Sequence, residues 1–364
     1  KTLEIKGPDK GKAFDKDGNP TQAAIGFAKK YNLEPKDLIT KKINDVEYVF
    51  ANSKTGGQNT KELLEKVLPN ALRKTTGDKF MKWGNYEEKF TRPVKWFLAI
   101  FDNEVVKFSY AGKESSNVTF GHRFFENNAP IKISNLNDYE KKLSEHKVII
   151  SSDRRKTQVR EEIEKLAKET NTEPIIDERL VDEVTNITEQ PKGIICKFDE
   201  EYLSLPECVI ETVLRKHQKY FVLKDKTTKK LINKFIVITN GIGKEENIKR
   251  GNEKVVRPRL SDAKFFCEED LKRPFTYEER IKDLSKITFQ KGLGTMEEKV
   301  ERLIKFSEYI YESLKEKKDI RKEDITNTAK LCKLDLTSGM VFEMPELQGE
   351  VGSIYAKKNG ACET

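Results

Sequence analysis

Residues 205–223, LPECVIETVLRKHQKYFVL, contain the change of pattern that decides the fold class. Pro206 suits the first turn of a helix, where its fixed φ and missing N–H are tolerated. The aliphatic residues after it recur one helical turn apart: Val209, Ile210, Val213 and Leu214. Residues 220–223 then form an aromatic and aliphatic run that is typical of a strand. This stretch therefore predicts a helix that leads directly into a strand.

The same alternation continues on both sides of this stretch. Strands are predicted at residues 147–150, 193–198 and 235–239. Helices are predicted to begin near Ser152 and after Asp177, because apolar residues recur there at helical spacing. Helices and strands mixed in this way predict an α+β fold.

We expect three domains, because 364 residues are too many for one ordinary core. Residues 1–80 are predicted as an α/β segment that packs on the central domain. Residues 81–280 are predicted as the mixed α+β domain. Residues 281–364 are predicted as the start of a mainly helical domain.

Local signals place further elements outside the central stretch. Asn19 and Pro20 predict a helix start. A second helix, after Asn59, is expected to break or restart at Pro69, and its inward-facing residues are predicted to be Leu63, Leu64, Val67 and Leu68. Two apolar runs, 94–101 and 105–110, flank Asp102-Asn103 and predict a hairpin. Thr295 and Glu298 predict the capping box of a long helix, and residues 335–355 predict further helix interrupted at Pro345.

Charge and hydropathy exclude several protein classes. The 69 Lys and Arg residues against 61 Asp and Glu residues give a net charge of +8, which suits a polyanionic partner. No apolar run approaches the roughly 20 residues that cross a membrane, and no signal peptide is visible. We therefore expect a cytoplasmic protein. Because the chain opens on Lys1 rather than Met, we also expect it to be a piece of a longer protein.

Catalytic and metal-binding patterns are scarce. The five cysteines include no CxxC pair and predict reduced thiols. The three histidines are far apart, and no HExxH, GxSxG or GxxxxGK[ST] motif occurs. His122 beside Arg123 is more often structural than catalytic. We therefore predict no catalytic residue and no metal ligand.

Three basic clusters are the candidate RNA contacts. The first, Asp153 to Lys156 with Arg160, lies at a helix N-terminus. Each cation there opposes the helix dipole and destabilises the helix by roughly 0.3–1 kcal/mol, a cost that a bound phosphate would offset. The second begins at Arg215 and leads into an aromatic strand. The third, from Lys254 to Arg259, contains Arg257-Pro258-Arg259. The candidate RNA-binding residues are Arg154, Arg155, Arg160, Arg215, Lys216, His217, Lys219, Arg257 and Arg259.

A structural alternative stays open for the first two clusters. In the first, the arginines could pair with Glu161, Glu162 or Glu164 and form a solvated face. In the second, cations are favourable at a helix C-terminus in any case, and at least one of Tyr220 and Phe221 is expected in the core.

Short sequence words follow one another along almost the whole chain. They include Lys6-Gly7-Pro8, Gly18-Asn19-Pro20-Thr21, Met81-Lys82-Trp83-Gly84, Phe90-Thr91-Arg92-Pro93, Gly121-His122-Arg123-Phe124, Asp153-Arg154-Arg155, His217-Gln218-Lys219-Tyr220-Phe221, Arg257-Pro258-Arg259-Leu260 and Glu346-Leu347-Gln348-Gly349. In this order and spacing the chain resembles the bacterial glycyl-tRNA synthetase beta subunit family.

The resemblance implies both a fold and a division of labour. The central domain is expected to be similar to the B3/B4 domain of phenylalanyl-tRNA synthetase beta chains, and the helical part to a truncated HD-like domain. The family implies an α2β2 glycine–tRNA ligase in which the alpha subunit uses ATP and Mg to form glycyl-adenylate. The beta subunit binds and positions tRNA(Gly), so this chain is expected to hold no cofactor and to be non-catalytic alone.

Two alternatives remain beside this reading. One is a hydrolase of the editing or phosphohydrolase type, although residues 281–364 contain no histidine that could bind a metal. The other is a pure scaffold for the alpha subunit.

Overall fold

The computed structural model describes residues 2–54, 58–241, 243–314, 316 and 321–361. Helices and strands are intermixed along the chain, which confirms the α+β class. The chain divides into two compact units. Unit 1 comprises residues 1–119 with 132–135, and unit 2 comprises residues 120–131 with 136–364. The three-domain division expected from the sequence stays a prediction.

Unit 1 is built on a small antiparallel sheet. Its elements, with a last strand that reaches the unit boundary, are β1 (Thr2–Asp9), α1 (Lys10–Ala13), α2 (Gln22–Lys30), β2 (Ile39–Ile43), β3 (Val46–Lys54), α3 (Thr60–Lys74), β4 (Phe97–Leu98), β5 (Ile100–Phe101), β6 (Glu104–Val105), β7 (Ser109–Tyr110), β8 (Lys113–Ser116) and β9 (Val118–Phe120). Strand β3 lies between β1 and β2. Its Val49 packs with Ala13 and Ala24 in a small buried cluster.

Three local predictions in unit 1 meet different outcomes. Strands β5 and β6 pair as the expected hairpin, with Asp102 and Asn103 at positive φ in the turn. Helix α2 begins at Gln22, later than predicted, because Asn19 instead closes a turn with its N–H on Asp15 Oδ1. Strand β4 pairs in parallel with β8 rather than extending the hairpin.

The prediction for helix α3 is wrong in two respects. The helix continues through Pro69 to Lys74, and none of its residues is buried. On an exposed helix, water can satisfy the carbonyl that proline leaves without a donor. Leu63 and Val67, which were expected to face inward, are both exposed.

Unit 2 is larger and alternates helices with strands. After a short strand at the unit boundary, its elements are β10 (Pro130–Lys132), α4 (Leu136–Glu145), α5 (Ser152–Glu169), β11 (Thr172–Pro174), α6 (Glu178–Ile187), β12 (Lys192–Lys197), α7 (Glu207–Glu211), β13 (Phe221–Asp225), β14 (Leu231–Thr239), α8 (Glu245–Lys272), α9 (Tyr277–Leu284), β15 (Thr288–Gln290), β16 (Gly294–Thr295), α10 (Met296–Leu314), α11 (Lys322–Leu331), α12 (Gly339–Glu343) and α13 (Glu350–Lys358).

A four-stranded antiparallel sheet organises unit 2, in the order β11-β13-β14-β12. Alternate residues of its strands face opposite layers. Phe221 and Ile236 pack with residues of α5 and α6, such as Ile163. Tyr220 and Phe235 belong to the other buried cluster, which includes residues of α7 and α8. Both aromatic residues at positions 220 and 221 are therefore in the core.

Three predictions in unit 2 meet different outcomes. Residues 147–150 form no strand, although Ile149 N–H donates to Glu189 O. Residues 335–355 contain the short helix α12, which ends just before Pro345 as expected, and the start of α13, with one 3₁₀ turn before α12 and another between the two helices. The capping box of α10 is present, since Thr295 N–H donates to Glu298 Oε2 over 2.8 Å and Glu298 N–H donates to Thr295 Oγ1 over 3.3 Å.

Candidate nucleic-acid interface

The first basic cluster lies in the opening turns of α5. Ser151 caps this helix, because its Oγ accepts the N–H of Arg154. The Arg155 guanidinium donates to Ile149 O over 2.6 Å, to Ile150 O over 2.8 Å and to Thr185 O over 3.1 Å. Arg155 therefore ties the start of α5 to α6. Arg154 is exposed, and no described residue forms an ion pair with it.

Two further cations of this cluster, Lys156 and Arg160, pair with acids on α6. Arg160 donates to both carboxylate oxygens of Glu178, and Lys156 pairs with Asp182. The structural alternative named the glutamates of α5 itself as partners. The observed partners lie elsewhere in the chain because α5 and α6 pack side by side, which helical spacing within α5 could not reveal.

The second cluster lies on a π-helical turn, Thr212–His217, that continues α7. Such turns are rare in proteins as a whole, and those that occur are often at functional sites. The Arg215 guanidinium donates to Glu211 Oε2 over 2.9 Å and to Asp177 Oδ2 over 3.0 Å. Its buried Nε has no hydrogen-bond partner among the described residues.

Two further members of this cluster are also paired. His217 Nε2 lies 2.7 Å from Glu346 Oε1, and Lys219 Nζ lies 2.9 Å from Glu183 Oε2. Lys216 is exposed and has no ion pair within the described parts of the chain.

A cavity of about 360 Å³ opens beside the π-helical turn. Its cationic side chains are Arg179, Arg215, Lys216 and Lys219, and its acidic side chains are Asp177, Glu183, Glu211 and Glu350. Burial alone would raise the pKa of Asp177, but the N–H of Arg179 and the Arg215 guanidinium lower it below its usual value. The charges balance, so the cavity offers a polyanion little excess positive charge.

The third cluster lies on α8, beside the buried face of the helix. That face contains Val256 and Leu260. Arg257 pairs with Asp199, with 3.1 Å between Nε and Oδ2. Arg259 is exposed without a described ion pair. Pro258 lies inside the helix, so it stiffens a helical turn rather than a loop.

The structure thus separates the nine predicted residues into two groups. Among the described residues, Arg154, Lys216 and Arg259 are exposed cations without an ion pair. The other six donate to acids or carbonyls of the protein itself. The candidate list omitted Arg250, and it omitted Lys254 although that residue begins the third cluster; both are exposed on α8, one turn apart. Their spacing of four residues places them on one helical face, away from Val256 and Leu260, and this spacing in the sequence could have identified them.

Other chemistry has little support in the described residues. They contain no group of three His, Cys, Asp or Glu side chains placed to hold a metal ion. Burial raises the pKa of Cys196 to about 12 and that of Cys208 to about 11, so both are poor nucleophiles near neutral pH. Cys362 lies outside the described residues. No helix that the structure describes is long and apolar enough to cross a membrane.

Comparison with known proteins gives a consistent result along the whole chain. A family model described as glycyl-tRNA synthetase beta subunit matches residues 1–364. The chain is 40% identical over 358 residues to the glycine–tRNA ligase beta subunit of Desulforamulus reducens, and this match covers 98% of the chain and 51% of the relative. It is 39% identical over 361 residues to that of Bacillus subtilis, covering 99% of the chain and 52% of the relative.

The chain therefore spans about half the length of the curated relatives it matches. The family model matches the chain over its entire length. On this evidence, the chain belongs to the glycyl-tRNA synthetase beta subunit family.

Proposed function

We propose that this chain serves in a glycine–tRNA ligase by binding and positioning tRNA(Gly). A partner alpha subunit, in an α2β2 assembly in the cytoplasm, would form glycyl-adenylate with ATP and Mg. The printed name of the relatives, glycine–tRNA ligase beta subunit, supports this proposal. The proposal includes a B3/B4-like fold for the central part and an HD-like fold for the helical part.

The observation that carries the RNA contact is the group of exposed cations without described ion pairs. Arg154, Lys216 and Arg259 are exposed and form no ion pair with a described acid, so they can bind a phosphate without breaking one. An arginine already bound to carboxylates or backbone carbonyls of the protein must break those contacts before it binds a phosphate. We therefore assign phosphate binding to these three residues rather than to Arg155, Arg160 or Arg215.

The test is binding of tRNA(Gly) to the chain over a series of salt concentrations. The triple variant R154A/K216A/R259A should bind about tenfold more weakly or worse at low salt. The slope of log affinity against log salt should fall by about one per lost phosphate contact. Anisotropy of fluorescein-labelled tRNA measures both quantities.

A charge-matched control separates local contacts from net charge. The variant K36A/K229A/K272A also removes three positive charges, but from lysines that pair with Glu34, Glu173 and Glu269. It should change the affinity much less than the first variant does. Equal effects of the two variants would show that only net charge matters, and would contradict the assignment.

The second candidate function is a scaffold for the alpha subunit. It is favoured by the internal pairing of Arg155, Arg160, Arg215, His217 and Lys219, which makes much of the basic surface structural. Absence of tRNA binding at low salt, together with retained co-purification with the alpha subunit, would support the scaffold and contradict RNA binding by this chain.

A further inference from the structure

We infer that the loop at residues 121–125 is a stacking platform for an unpaired base of RNA. The inference rests on the proposed function, because it names the part of an RNA that this loop would recognise. It depends on a pair of residues, Arg123 and Phe124, to which the sequence patterns assigned no role.

The loop is held closely against the end of α4. A Cβ atom on Gly121 would lie 2.5 Å from the Cβ of His146 and 2.9 Å from its carbonyl oxygen. Such distances are too short for any side chain, and the carbonyl belongs to the backbone. His122 N–H donates to the same His146 carbonyl over 2.9 Å. Glycine is therefore required at position 121 for this close approach.

His122 anchors the middle of the loop from inside the protein. Its side chain is fully buried, and Nε2 lies 3.1 Å from Asn240 O. Because a carbonyl can only accept, Nε2 carries the proton, and Nδ1 is free to accept the N–H of Phe124 over 3.4 Å. Phe125 N–H donates to His122 O over 2.8 Å, and its ring packs edge-on against the His146 ring.

On this fixed loop the Phe124 side chain points outward. It is 63% exposed, and the Arg123 guanidinium lies 4.9 Å from the centre of its ring. No described residue forms an ion pair with Arg123. Phe342 is even more exposed, at 82%, but no described cation lies over its ring. An exposed ring beside an exposed guanidinium on an anchored loop therefore distinguishes Phe124 from an ordinary surface aromatic residue.

The loop lies at the same end of the unit 2 sheet as the start of α5. Asn240 follows β14, and its Oδ1 accepts the N–H groups of Glu189 and Gln190 ahead of β12. Gln158, in the second turn of α5, donates to Pro191 O over 2.8 Å. The end of α5 that carries Arg154 is thus at this end of the sheet. A strand of RNA with a base on Phe124 would find phosphate-binding charge there.

The chemistry of the pair fits a base rather than a phosphate. The half-exposed Glu189 carboxylate lies 4.0 Å from His122 Nε2, and its negative charge disfavours a phosphate close to the loop. Phenyl and guanidinium groups both offer planar faces, on which any base can stack. A base within a duplex is covered by its neighbours, so the platform requires an unpaired nucleotide.

The first measurement compares F124A and F342A in binding a short single-stranded oligoribonucleotide and a duplex of the same composition. F124A should lower the affinity for the single strand about tenfold, as expected for the loss of one stacked base, and change duplex binding little. F342A removes a ring that is even more exposed, and it should leave both affinities unchanged. Because Phe124 is exposed, circular dichroism should show both variants folded.

A spectroscopic measurement reports on the stacking itself. In F124W the new indole should be quenched when the single strand is added, beyond any change seen in the parent protein. R123K keeps the charge but loses the planar group, and should reduce single-strand affinity.

The outcomes separate this inference from the proposed function. If F124A binds the single strand as F342A does and F124W shows no quenching, the platform is wrong, even though tRNA binding through Arg154, Lys216 and Arg259 still stands. If the parent protein binds no RNA at low salt, the proposed function fails and the platform with it.

Discussion

At the scale of single residues, Asp335 is a carboxyl group without a compensating ion pair to any described cation. Its side chain is fully buried. Oδ2 accepts the N–H of Gly349 over 2.6 Å, whereas Oδ1 has no hydrogen-bond partner among the described residues. Burial raises the pKa of this carboxyl, because the charged form is poorly solvated there.

Because of this raised pKa, the contribution of Asp335 to the free energy of unfolding depends on pH. The folded state holds the proton more tightly than the unfolded state, so the contribution is largest below the ordinary pKa of 3.8. It is lost as the pH rises from there through the folded pKa. D335N removes this titration. Raising the pH from about 4 to about 7 should therefore increase the free energy of unfolding of D335N relative to that of the parent protein.

Urea unfolding at a series of pH values measures this effect. D225N provides a control of opposite sign, because hydrogen bonds from Thr228 and Thr227 lower the pKa of Asp225. The contribution of Asp225 to stability is present above its ordinary pKa and is lost as the pH falls through the pKa in the folded state. An unchanged pH dependence in D335N would mean that Asp335 is ionised at little cost in the folded protein.

At the scale of elements, a buried polar junction joins α8 to the helices that follow it. The Asp270 carboxylate accepts the N–H groups of Gly339 and Met340 over 2.7 Å and 3.0 Å, and so caps α12. It also accepts the hydroxyl of Tyr355 on α13 over 3.1 Å. Arg280 on α9 is almost fully buried and donates to the carbonyl of Asp270.

Replacing Arg280 should disturb the whole junction. Its guanidinium also donates to the carbonyls of Arg273 and Pro274 and to Thr337 Oγ1. R280M keeps much of the volume but leaves these acceptors without a donor, and should lower the free energy of unfolding by about 3 kcal/mol. Urea denaturation followed by circular dichroism gives this value.

Arg273 provides the matched control at the same junction. Its guanidinium is more exposed and pairs with Asp283 at the surface. Because exposed ion pairs contribute little, R273M should lower the free energy of unfolding by less than about 1 kcal/mol. Similar losses in the two variants would show that burial of Arg280 adds nothing to its role.

At the scale of the whole molecule, the buried core is unevenly distributed. In unit 1 the cluster of buried residues around β3 consists of Ala13, Ala24 and Val49, and α3 buries no residue. In unit 2 both faces of the four-stranded sheet are covered by buried apolar side chains. Since buried apolar surface is the main favourable term in folding, the two units should differ in local stability.

Hydrogen exchange measured by mass spectrometry tests this difference. Backbone amides of β12, β13 and β14 should exchange most slowly, and those of β1 and β3 should exchange clearly faster. Both sets are hydrogen-bonded in antiparallel sheets, so pairing alone cannot account for a difference. Equal protection in the two sheets would indicate one cooperative folding unit.

The sequence by itself determined the periodic elements and the family. Helix α5, the capping box of α10 and the hairpin of β5 and β6 follow from spacings of a few residues, which depend only on local backbone geometry. The ordered words along the chain led to the family that the comparisons show.

Only the tertiary structure decided which charges are available. Arg160 pairs with Glu178, and His217 pairs with Glu346, 129 residues away. The outward position of Phe124 also depends on contacts of its loop with His146 and Asn240. An ion pair or an exposed ring depends on which distant elements pack together, and the local periodicity of a sequence carries no information on that.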